Sequence, residues 1–116
     1  MKNTEVVDTT SKYIVKSTGI GSETDEVLVN AETELTGGTD GSKVSLIECF
    51  YLIEGTGTVS ISSESEDDDL TLTGKGKYGL RPGQLKFGND KIFKLTTDSN
   101  VTSYLLVTEF RRETNG

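Results

Sequence analysis

Apolar residues recur at every second position along most of this chain, and clusters of Gly, Asn, Asp and Ser interrupt them about every ten residues. A period of two places alternate side chains on opposite faces of an extended strand, whereas a helix needs a stripe at 3.6 residues. No window of eleven or more residues carries such a stripe. The pattern predicts an all-β domain of about eight short strands, a jelly roll or a related antiparallel β-sandwich. An immunoglobulin-like sandwich is the alternative. Antibody-type domains carry a Trp and two Cys, and this chain has no Trp and one Cys.

Strands are expected over 12–16, with Tyr13 and Val15 on one face, and over 26–31, with Val27, Val29 and Ala31 together. Residues 43–54 form the most apolar stretch. Its continuous run Cys49-Phe50-Tyr51-Leu52-Ile53 reads as a strand covered on both faces, either by core on both sides or by a core on one side and a neighbouring subunit on the other. Further strands are expected at 58–62, 70–73, the Leu85/Phe87 pair, 91–97 and 101–110. In the last of these, Val101, Leu105 and Val107 oppose Tyr104, Leu106 and Phe110. Residues 1–11 read as a flexible arm, 12–110 as the sandwich and 111–116 as a polar tail. The segments 36–42 and 74–79 read as loops.

Residue types narrow the chemistry. The chain has no His, so Ser-His-Asp triads, Cys-His pairs and His-ligated metals are excluded. Cys49 is the sole cysteine, which rules out an internal disulfide and a Cys-based zinc cluster. It stands among apolar residues with no imidazole to activate it, so the core is its expected place. Glu48 and Glu54, six positions apart, share one face of an extended strand at a spacing of ~20 Å, too far for a glycosidase pair. These readings predict no enzyme, no metal and no cofactor.

With 19 acidic and 12 basic residues the formal charge is -7. Phosphate backbones and anionic lipids repel such a chain, so neither nucleic acid nor membrane is an expected partner. No apolar run approaches the ~20 residues of a transmembrane helix. The first ten residues are polar, without the basic and then apolar order of a signal peptide, so synthesis and assembly in a cytosol are expected.

Gly74-Lys75-Gly76-Lys77-Tyr78-Gly79 matches GxGxxG in letters. A dinucleotide site needs a helix after the glycines, and Leu80-Arg81-Pro82-Gly83 reads as a turn. A hairpin loop is one reading. The other is a basic contact loop in which Lys75, Lys77, Tyr78 and Arg81 dock on an acidic partner. The acidic run of Glu64, Glu66, Asp67, Asp68 and Asp69 lacks EF-hand order and reads as a solvated loop. Phe50, Tyr51 and Leu52 cannot share one interior, so one face of their strand is either a second core or an interface.

Two resemblances add to this. The stretch from Phe50 to Val59 and the later Leu80-Arg81-Pro82-Gly83 resemble the strand and Pro-Gly turn of cupins, which implies a jelly roll but, without His, not cupin metal chemistry. More of the chain resembles small β-rich virion proteins of tailed bacteriophages, on Asp8–Lys16, Thr18–Gly21, Gly74–Gln84 and Val101–Glu109. That resemblance implies a virion structural role, a capsid decoration or cement protein bound to the major capsid protein or another virion protein and acting as a homo-oligomer. The expected partner contacts are Tyr51, Lys75, Lys77, Tyr78, Arg81, Arg111 and Arg112. The alternatives are a tail or fibre component, or a cupin-like or lectin-like module with a pocket lined by Tyr104 and Phe87.

Overall fold

The computed structural model describes residues 1–9, 11–35, 38, 41–64, 69–79 and 87–113. The Leu80–Gly83 turn with Arg81, Leu85, the acidic positions 66–68, most of the 36–42 loop and the end of the tail lie outside them. The ten strands among the described residues all pair antiparallel: β1 (Lys2–Asp8), β2 (Lys12–Gly19), β3 (Glu26–Asn30), β4 (Lys43–Gly55), β5 (Val59–Ser63), β6 (Leu70–Leu72), β7 (Lys75–Gly79), β8 (Phe87–Asp90), β9 (Ile92–Thr97) and β10 (Val101–Glu113).

The larger sheet runs β1-β2-β10-β4-β7, with β8 alongside the first part of β4. The smaller runs β3-β9-β5-β6. The pairs β2·β10, β3·β9, β4·β7 and β5·β6 are nested, as in one long hairpin wrapped onto itself. That wrapping sends the chain from sheet to sheet and is the jelly-roll arrangement, which pairs or buries most strand edges.

The core lies between the sheets. Val15, Leu46, Leu106 and Phe110 reach in from the larger one; Leu28, Val29, Val59, Ile61, Phe93 and Leu95 reach in from the smaller. Phe93 joins the two. Its ring centroid is 5.1 Å from Phe110 and 6.2 Å from Phe87, both at tilted angles that aromatic quadrupoles favour.

Three segments correct the sequence expectation. Residues 2–8 form an edge strand and not an arm. Asn3 fixes it: its Nδ2 donates to the carbonyls of Val27 (3.2 Å) and Leu28 (3.3 Å) across the sandwich, while its Oδ1 accepts from Ser17 Oγ at 2.6 Å. The Gly74–Gly79 segment is largely strand β7, hydrogen-bonded to β4 from Glu48 to Leu52. The polar tail begins later than expected, since β10 continues to Glu113.

Bulges explain the remaining differences in facing. An extra residue turns the strand over locally. Between Val27 and Val29 it buries Leu28 and leaves Val27 exposed, so Val27 does not share a face with Val29 and Ala31. Between Val101 and Ser103 it puts Val101 on the core side with Tyr104, not with Leu105 and Val107.

The loop before β3 is tied down by a buried ionic contact. Glu23 binds the amino group of Met1 and accepts from Tyr104 Oη at 2.7 Å. Burial pushes the Glu23 carboxyl up, but the Met1 and Tyr104 hydrogen bonds, the Met1 charge and a backbone bond at Ile20 outweigh it and hold the group below its usual value. A depressed carboxylate stabilises the fold above its unfolded pKa of ~4.3, and that stability drains away as pH falls through the lower folded value. The urea midpoint is therefore expected to drop between pH 5 and pH 3, and Glu23→Gln to lower it at pH 5 while flattening that drop. Parallel pH curves for the two proteins would contradict the assignment.

Candidate functional site

The outward face of the larger sheet follows from strand register. One row across it reads Lys2, Thr18, Leu105, Leu52 and Lys75; the next reads Thr4, Lys16, Val107, Phe50 and Lys77. A third places Ile14, Glu109 and Glu48 side by side, and beyond it stand Lys12 and Arg111. The centre is thus apolar, made by Leu52, Leu105, Val107 and Phe50, and its flanks are charged. Phe50 is 47% exposed, and the other three are half-buried by one another. Exposed contiguous apolar surface with a polar rim is the usual mark of a contact site.

The charges around this patch are unevenly satisfied. Glu48 and Glu109 sit directly opposite each other, an unfavourable pairing of like charges. Lys77 Nζ lies 3.0 Å from Glu48 and offsets it. Lys2, Lys12, Lys16 and Lys75 have no ion-pair partner among the described residues.

Register divides the expected contact residues between two faces. Lys75, Lys77 and Arg111 point outward. Tyr51 faces inward with Cys49 and Ile53 and packs half-buried on the core; Tyr78, opposite Cys49 on β7, does the same. Arg112 also turns inward, where its Nη2 pairs with Asp8 of β1 and ties the ends of the sheet together. Arg81 lies outside the described residues. Leu105, Val107 and Lys16 were not singled out from sequence, because only the pairing of β2, β10 and β4 makes them neighbours of Phe50 and Leu52.

Cys49 is fully buried, with its Sγ 3.5 Å from Thr108 Oγ1. Burial pushes the thiol up to about 11, against a smaller lowering by Thr108. Native protein is expected to resist iodoacetamide at pH 8 and to label stoichiometrically in denaturant; rapid native labelling would mean that this part of β4 opens.

Tyr104 and Phe87, which would line a cupin-like pocket, are instead buried in the core. A groove of about 240 Å³ lies on the smaller sheet, lined by Asp25, Ser62, Ser63, Glu64, Ile92 and Lys94. No group of three or more potential metal ligands occurs among the described residues. In comparisons with known proteins, no family model matches the chain, and no curated protein or solved structure is significantly similar to it.

Proposed function

We propose that this protein is a non-enzymatic bacteriophage virion component, a capsid decoration or cement protein that binds the shell through the outward face of its larger sheet. The observation that carries the binding role is the apolar patch of Phe50, Leu52, Leu105 and Val107. The outward face of the smaller sheet is more polar, with Ser60, Ser62, Lys94 and Thr96 set around Val27 and Ile92. The virion context rests on the family-like strings at Asp8–Lys16, Gly74–Gln84 and Val101–Glu109. Its mechanism is burial of the apolar centre against the shell, with the charged rim setting orientation. Copies act together as a homo-oligomer on the lattice.

Quantitative mass spectrometry of purified particles tests this. A copy number near that of the major capsid protein, or a simple fraction of it, is expected. A few copies per particle would move the protein to the tail or a vertex, and absence from particles would overturn the virion reading.

A further inference from the structure

Resting on that reading of the outward face as a docking surface, we infer its partner's chemistry: a protein surface with an apolar centre and an acidic rim. The sign of the face is the argument. Lys2, Lys12, Lys16, Lys75, Lys77 and Arg111 project from it, against Glu48, Glu54 and Glu109. Lys43 adds a seventh cation at the end of the face, opposite Glu113 of β10, and cations outnumber carboxylates there on a chain whose formal charge is -7. Four lysines without a carboxylate partner among the described residues stand at both lateral margins of the apolar rows, Lys2, Lys12 and Lys16 toward β1 and β2 and Lys75 on β7, and Lys43 stands at the end of β4. A partner that covers the apolar centre and carries carboxylates at those margins would satisfy them all.

The same charges select against two other occupants. A second copy docked face to face by a two-fold axis would set one net-positive face against another. Anionic lipid or nucleic acid would meet Glu48 and Glu109 beside the apolar centre and the acidic remainder of the chain around it. An acidic protein patch can place its apolar residues over Phe50 and leave the two glutamates to Lys77 and Arg111 nearby.

The test uses a chemical probe, agarose carrying both carboxylate and phenyl groups, at pH 7 and low salt. The full chain is expected to bind despite its negative charge and to elute as salt rises. Lys16→Glu/Lys75→Glu should weaken retention at least tenfold, and Phe50→Ser should weaken it severalfold. Lys91→Glu/Lys94→Glu makes the same charge change away from this face and should shift retention less than twofold. Thermal unfolding confirms that each variant is folded. Equal losses in the two double variants would overturn the assignment of sign to this face. Binding to phosphatidylserine vesicles that depends on Lys16 and Lys75 would overturn the protein partner in favour of a lipid surface. These outcomes separate from the virion reading: a protein present at fixed copy number that ignores the probe keeps its place in the particle and loses only the acidic partner.

Discussion

Phe93→Ala is expected to be among the most damaging single substitutions in this chain, with a loss of about 3–5 kcal/mol. Phe93 is fully buried and touches Phe110 and Phe87 from the opposite sheet. Truncation removes the transfer energy of the ring and leaves a void where the sheets meet. It also forfeits two tilted ring contacts, each worth about 0.5–1.5 kcal/mol. With hydrophobic residues at 32% of the chain and no disulfide, little else can compensate, and domains of this size have only about 5–15 kcal/mol in total. Phe50→Ala is the matched control, since that ring stands half in solvent and should cost far less. Urea unfolding of the two variants checks this. Similar losses would mean that the sandwich is not centred on Phe93.

Gly79→Ala is the second large effect, for a different reason. Gly79 has φ +100°, and a Cβ there would lie 2.0 Å from the Ile47 carbonyl oxygen and 3.0 Å from Glu48 Cα. Both are backbone atoms of the neighbouring strand, so no side chain can move aside. The strain of such a conformation is about 1–3 kcal/mol, and the overlap forces β7 away from β4. The expected result is a stability loss of about 2–4 kcal/mol, with faster amide exchange along β7 and the facing part of β4. Gly74→Ala separates conformation from contact. Its φ is +65°, but nothing lies within 4 Å of the added carbon, so only the conformational part remains. Equal effects at the two positions would contradict the packing of β7 against Ile47.

Alternation was a good guide where a strand packs one face on the core and the other is free to differ. Tyr13 and Val15, Val59 and Ile61, and Tyr104, Leu106 and Phe110 all point as their spacing implies. It failed at edges and bulges. Strand β1 places Asn3 toward the other sheet and inserts the exposed Val6 as an extra residue, so its apolar signal is broken. Strand β7 alternates lysine with glycine and tyrosine, so backbone pairing to β4 holds it, with Tyr78 alone packing on the core.

The candidate face was half legible. The conflict among Phe50, Tyr51 and Leu52 already said that one side of β4 looks away from the core. It did not say which, and Tyr51 turns out to be the inward member. Nor could spacing reveal that Leu105, Val107 and Lys16 join Phe50, because a period of two leaves register between strands undetermined.

If the outward face of the larger sheet is covered in the working assembly, a thiol placed there should be protected by assembly. Lys16→Cys places a thiol beside Val107, one strand away from Phe50, and the native Cys49 is buried, so it contributes no label of its own. Iodoacetamide should modify position 16 readily in the free protein and much more slowly in intact particles. A control thiol at Thr96, on the outward face of the smaller sheet, should label at a similar rate in both. Equal labelling of position 16 in free protein and in particles that contain it would contradict the account.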